Sequence, residues 1–406
     1  MKMKFFKVLT AVTLAAAGFL QIPAPVSAAR LDVTPSISLD QLYDSNVFNT
    51  DRNEKEDFIL RTTPMVTFSV RMPETTLSMH SSLTVDSYYK YTERNNKSSS
   101  VSLGIDATPI QVSPRFSFLP SGHYVQSSDS FQRTQLVPSG DPLITPSIAS
   151  ETATRKSRDY GAALRMSYML TPTIDFSIGG GFSKRQFLDN TAGDFDSRVV
   201  SGETAVTYKF TPLFSSGFFL NTAHNTFENG RDSRTVAGGV TGTYLISPVL
   251  SLTARAGASR AKETRPVAGI PDRTTTSPSG SLSAIYKGEN IKASLGGSIA
   301  QTGGGSFGLT TRRQSVGFSL TDRLAREWTV DLAGTIQENR SLDAAVSEDI
   351  ITATGTAGVR YQLLSWTTIR FSGTAFRQWS NASIGTDLKR YSAFLGITIG
   401  YMYNIY

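Results

Sequence analysis

From Tyr160 to Leu170 every second residue is apolar, and the alternation resumes at Ile174 after a short break at Thr171-Pro172. A period of two places successive side chains on opposite faces of an extended chain, so each segment reads as a strand with one apolar and one polar face. Carried along the chain, the template predicts about eighteen strands of roughly 10–15 residues. Among them are 157–170, 173–188, 199–210, 213–227, 234–246 and 249–262, with 279–287 the weakest and 389–406 the last.

The connections alternate between short and long. Short ones fall at Pro73, Thr171-Pro172, Thr211-Pro212, Ser247-Pro248 and Lys287 to Asn290. Long polar ones span 44–57, 92–98, 127–156, 189–196, 228–233 and 264–279. An even strand count with short turns on one side and long loops on the other predicts a transmembrane antiparallel up-and-down β-barrel, its short turns periplasmic and its long loops extracellular. Within it a Tyr-x-x-Thr/Ser-Pro step recurs at Tyr168, Tyr208 and Tyr244, with echoes at Tyr286 and Tyr361, about every 40 residues. Proline has no N–H for the ladder and marks each return to the periplasmic rim. The rings Tyr168, Tyr208, Tyr244, Tyr286, Trp328, Tyr361 and Tyr403 are then expected in a girdle at the membrane interface. The last strand, "YSAFLGITIGYMYNIY", alternates to its aromatic end and fits the terminal signal read by the barrel-insertion machinery.

The chain opens with "MKMKFFK", an apolar run and "VSA", which together read as a secretory signal peptide cleaved near Ala28. This divides the chain into a signal segment, 1–28, and an outer-membrane barrel, 29–406. With no cysteine, disulfides, thiolate metal sites and covalent haem are excluded, and His80, His123 and His224 form no ligand-spaced cluster. No cofactor or metal is expected. The formal charge of +7 includes the lysines of the signal segment, so the mature chain is only mildly basic and nucleic acid is not an expected partner.

Strand parity points Arg61, Arg71, Lys90, Arg115, Arg165, Arg185, Lys209, Arg255, Lys292, Arg313, Arg360 and Arg370 into the lumen. Fewer acids share that face: Asp40, Asp86, Asp106, Asp159, Asp175, Glu203 and Asp331. Rings of Arg and Lys favour anions, so an anion preference is expected wherever these cations are not paired. The 127–156 connection is long enough to constrict the pore or to extend outside it.

Two resemblances bear on function. "HNTFENGR" at 224–231 faintly resembles a segment of outer-membrane phospholipase A, but Thr226 stands at the nucleophile position, Asn229-Gly230 are displaced and no orienting third group is supplied, so it reads as a polar strand end running into an extracellular loop and no catalytic residue is expected. "PSISLDQLYDSNVF" followed by "EDFILRTTP" resembles the opening of a family of outer-membrane β-barrel porins associated with exopolysaccharide and capsule synthesis. The matching steps are Tyr43-Asp44-Ser45-Asn46-Val47-Phe48 and Glu56-Asp57-Phe58-Ile59, with Pro64. That resemblance implies a pore, not an enzyme, through which a polysaccharide leaves the cell together with periplasmic export proteins. The residues alone leave open a general or anion-selective porin for small solutes and a structural sleeve around a cytochrome. In each case the barrel's first partner is outer-membrane lipid.

Overall fold

The computed structural model describes residues 30–73, 75–95, 100–127, 156–188, 196–228, 230–264, 272–304, 309–342, 349–381 and 387–404. The expected signal segment and the 128–155 connection lie outside these residues. The strands are β1 (Arg30–Asp44), β2 (Asp57–Met72), β3 (Thr75–Tyr88), β4 (Ser100–Ala107), β5 (Ile110–Ser113), β6 (Phe116–Ser127), β7 (Ser157–Thr171), β8 (Ile174–Phe187), β9 (Ser197–Lys209) and β10 (Phe214–Phe227). They continue as β11 (Asp232–Ser247), β12 (Leu250–Thr264), β13 (Arg273–Lys287), β14 (Ile291–Gly304), β15 (Leu309–Asp322), β16 (Trp328–Ser341), β17 (Asp349–Leu364), β18 (Thr367–Ser380), β19 (Leu388–Gly400) and β20 (Tyr403–Asn404). β5 continues β4 after an interruption at Thr108-Pro109, since both pair with β6. β20 likewise continues β19, and both pair with β1. The twenty segments are therefore eighteen staves of one antiparallel sheet. β1 pairs with β2 on one side and β19 on the other, which closes the barrel and leaves no unpaired edge.

Several boundaries differ from the sequence pattern, two of them in the later strands. β13 begins at Arg273, because Thr274, Thr275 and Thr276 extend the ladder with Lys262, Ala261 and Arg260 where a loop was expected. Pro278 is tolerated there since the β13–β14 ladder reaches only to Gly280. The final strand breaks at Tyr401-Met402, yet Gly400 opposite Ser36 and Tyr403 opposite Val33 keep one register across the break.

The repeated Thr/Ser-Pro step is a turn device. The Thr171 hydroxyl accepts from the Thr173 and Ile174 amides at 3.4 and 3.1 Å, and Thr211 accepts from Leu213 and Phe214 at 3.2 and 2.9 Å. Ser247 treats Val249 and Leu250 the same way, and Ser113 treats Arg115 and Phe116. Proline presets φ for the second turn position while the hydroxyl satisfies amides that the ladder has released. The sequence pattern contained both residues but assigned a role only to the proline.

The two faces separate cleanly. Leu164, Tyr168, Leu170, Ile178, Val206, Phe218, Leu282 and Leu395 are exposed and share one parity. Asp40, Asp44, Asp86, Ser38, Ser82, Ser102 and Gln378 are buried and share the other, the crowded concave side of a closed wall. Apolar outside and polar inside is the arrangement of a membrane barrel. Following the pairings once around from Ile37 returns to β1 displaced by about 22 residues. With about 3.3 Å per residue and about 4.8 Å between strands, that stagger gives a tilt of about 40° and a backbone radius of about 18 Å.

Candidate functional site

The polar parity carries the predicted lumen cations, and most of them face a carboxylate. Among the described residues at least eight of the eleven that were expected on the wall, leaving Lys90 aside, lie in ion pairs. Arg61 meets Asp86 at 2.8 Å, Arg71 meets Asp32 at 2.9 Å, and Arg185 meets Asp159 at 2.6 Å. Lys209 meets Asp175 at 2.7 Å, Arg360 meets Asp331 at 2.8 Å, and Arg370 meets Asp40 at 3.0 Å. Glu203 is shared by Arg165 at 3.1 Å and Arg255 at 3.7 Å, and Arg255 also lies 5.4 Å from the centre of the inward Phe219 ring. The cationic excess read from the sequence is thus largely neutralised across strands.

The other three are Arg115, Lys292 and Arg313. Arg115 falls in the turn after β5 instead of on a strand, because Ser113-Pro114 ends the ladder first. Lys292 stands opposite Lys287 and Thr321 at the short-turn end, and Arg313 stands between Ala300 and Asn339. Lys90, also expected inside, lies past the end of β3 and pairs with Glu56 at 3.1 Å.

Glycine permits two of the long pairings. Arg165, Gly179 and Glu203 form one row across three strands, as do Arg370, Gly396 and Asp40. The middle strand would ordinarily place a side chain between the partners. At Gly396 a Cβ would collide with the Asp40 carboxylate, so the bridge requires its absence.

Away from these pairs the inner wall is hydroxyl-rich. β13 points Ser277, Ser279, Ser281 and Ser283 inward. Neighbouring strands add the pairs Ser294–Ser319 at 2.7 Å, Ser298–Ser315 at 2.9 Å and Thr243–Thr253 at 3.3 Å. Such side chains are short and uncharged, so this wall leaves the lumen wide and offers exchangeable hydrogen bonds. A niche in the wall, about 290 Å³, is lined by Arg165, Glu203, Arg255 and a surround of Ser and Thr.

The tyrosine-aspartate motif builds the mouth at the closing seam. Asp44 is fully buried, meets Arg390 of β19 at 2.6 Å and accepts the Asn46 amide. The buried Asn46 side chain donates to the carbonyls of Thr50 and Lys389, tying the 45–56 segment to the opposite side of the seam. Asn49 accepts from Arg390, and its backbone takes the left-handed region at φ 53°, which asparagine tolerates. Val47 packs with Leu42, Ile59 and Tyr88, while Phe48 meets Tyr91 edge-on at 5.0 Å. Arg94 lies over both Phe48 and Tyr88 and donates to the Val47 carbonyl. Asp57 accepts the amides of Lys90 and Tyr91. The Tyr43 hydroxyl and then the Lys90 ammonium hold the exposed Glu56 carboxyl below the usual range. Sequence reasoning found the motif but missed Arg390, Arg94 and Asn49, its partners.

The expected girdle residues share the outward parity and gather near the short turns. Tyr168, Tyr208, Tyr244, Tyr286, Trp328 and Tyr403 are exposed there, and Trp328 packs on Tyr361 at 4.6 Å. Tyr208, Phe210 and Phe214 form a further cluster, with ring centres 4.7 and 5.5 Å apart along the series. His224 and Thr226 face outward, opposite Arg234 and Asp232, and among the described residues the His224 side chain makes no hydrogen bond or ion pair. Among the described residues no group of three His, Asp or Glu could hold a metal ion.

No protein-family model matches the chain, and no curated protein matches it. Among solved structures it is similar to Pseudomonas aeruginosa OpdO, at 10% identity and TM-score 0.47, covering 94% of this chain and 98% of that one. Acinetobacter baumannii OccAB3 gives 10% and 0.47 over 93% and 100%, and Pseudomonas aeruginosa OccK8 (OprE) gives 9% and 0.47 over 93% and 99%. The architecture here rests on the chain's own strand pairing and not on these likenesses.

Proposed function

We propose that the protein is an outer-membrane porin, a passive aqueous pore for small polar solutes, with its short turns in the periplasm and its long connections outside. The observation that carries this reading is a closed eighteen-stave barrel with a polar inner wall and an apolar outer one. A backbone radius of about 18 Å less about 6 Å of side chain leaves a wall-to-wall channel wide enough for hydrated solutes. The wall cations are mostly paired, so selectivity follows the net charge of local clusters such as Arg165–Glu203–Arg255, and anions are favoured only weakly. In this reading the barrel-insertion machinery assembles the chain and outer-membrane lipid surrounds it.

A second reading, an exit for a secreted polysaccharide working with periplasmic export proteins, is favoured by the hydroxyl wall. Rows of Ser and Thr suit a neutral polyhydroxylated chain that must slide without sticking. The two readings separate in one assay series. Purified protein in planar bilayers is expected to conduct with weak anion preference, and proteoliposomes are expected to swell in neutral oligosaccharides up to a size limit. Passage of short sugars with no conductance change on adding long glycans supports the porin. Blockade by long uncharged glycans at micromolar concentration supports the exit route. Absence of conductance in folded protein refutes both.

A further inference from the structure

Cations also stand on the outward face, and they behave differently from those inside. About ten residues along a strand from the short-turn rim, on the same outward parity, stands a cation: Tyr208 to Arg198, Tyr244 to Arg234 and Ile174 to Lys184 are examples. Ten residues at about 3.3 Å, tilted by about 40°, rise about 25 Å, the height of an outer-membrane apolar band. The outward charges therefore emerge one hydrocarbon thickness above the girdle, at the long-connection rim.

Cross-strand register sets like charges directly opposite one another there. Lys184 faces Arg198, Arg234 faces Lys262, and Arg377 faces Lys389. Such pairs are destabilising by themselves, and charge at the edge of hydrocarbon is costly unless paired. Inside the barrel most cations meet a carboxylate. Among the described residues on this rim Lys262 has Asp272 at 3.0 Å, while Lys184, Arg198, Arg234, Arg377 and Lys389 have no carboxylate partner. Arg198 and Arg377 lie over the outward rings of Phe182 and Trp379, 5.2 and 4.7 Å from the ring centres, a contact that does not neutralise their charge.

We propose that this rim is a binding belt for phosphorylated lipid headgroups of the outer leaflet, each like-charge pair clamping one phosphate. The assignment rests on the porin reading for its orientation, because that reading puts this rim in the outer leaflet. Phosphate supplies the missing counter-charge, its acyl chains lie along the apolar wall just below, and guanidinium and ammonium donors are suited to its oxygens.

The test uses the full mature chain in phosphatidylcholine nanodiscs containing diphosphoryl lipid A or its dephosphorylated form, with bound lipid measured by native mass spectrometry after extraction. Wild type is expected to retain the phosphorylated lipid at least tenfold more than the dephosphorylated one, and equimolar inorganic phosphate is expected not to displace it. The variant Lys184→Gln, Arg198→Gln, Arg234→Gln, Lys262→Gln is expected to lose that retention at least tenfold while keeping wild-type conductance. The pair Lys184→Gln, Arg198→Gln alone, expected to lose severalfold, serves if the quadruple variant does not give a heat-modifiable barrel. Equal retention of both lipids, unchanged retention in the variants, or displacement by free phosphate overturns the belt. Loss of conductance in a wild type that still holds the lipid refutes the pore reading alone.

Discussion

Glu203 is the most informative position for conduction, because it neutralises parts of two arginines at once. Glu203→Gln keeps the shape and adds one net positive charge to the lumen wall. With a backbone radius of about 18 Å and a side chain reaching about 6 Å inward, the charge stands about 12 Å from the axis. In water a unit charge at that distance contributes about 0.35 kcal/mol, reduced by screening to about 0.1 kcal/mol at 0.1 M salt and about 0.23 kcal/mol at 0.01 M. Anions gain what cations lose, so the anion-to-cation permeability ratio should rise about 1.4-fold at 0.1 M and about twofold at 0.01 M. The assay is the reversal potential across a salt gradient in planar bilayers, repeated at both concentrations. Arg165→Glu should move the ratio the other way, since it removes a cation and adds an acid beside Glu203. A reversal potential unmoved by Glu203→Gln at low salt, or moved toward cations, would refute the placement of this cluster on the conducting wall.

Three further outcomes test the wall and the mouth. Gly396→Ala should displace the Asp40 carboxylate and strand Arg370, costing on the order of 2 kcal/mol, and a lowered unfolding midpoint in denaturant, absent in Gly373→Ala, checks it. Asp44→Ala leaves the buried Arg390 guanidinium with less of its charge compensated, a loss of about 3–5 kcal/mol; Asp44→Asn should recover part of it, and heat-modifiable mobility on gels reports both. Epitope tags at Thr92 to Lys97 and at Asp189 to Asp196 should be labelled on intact cells, and one at Pro172 only after permeabilisation; surface labelling at Pro172 would invert the barrel.

Much of this molecule was legible in the sequence because a strand exposed to lipid on one side and water on the other must alternate. The period of two set which residues share a face, the short and long connections set how the strands run, and an even number of strands was compatible with antiparallel closure. Parity also placed Arg165, Arg255 and Arg360 on the inner wall and Tyr208 and Tyr244 on the outer one. What it could not supply was pairing. Whether Arg370 is neutralised depends on Asp40, more than 300 residues away and brought near only when β19 docks on β1. The same closure turned Asp44 and Asn46 from loop residues into a tie across the seam, and register between neighbouring strands made Arg234 face Lys262. Alternation is a local property of the backbone and is written along the chain. Neutralisation is a property of the register between strands, and only the closed sheet decides it.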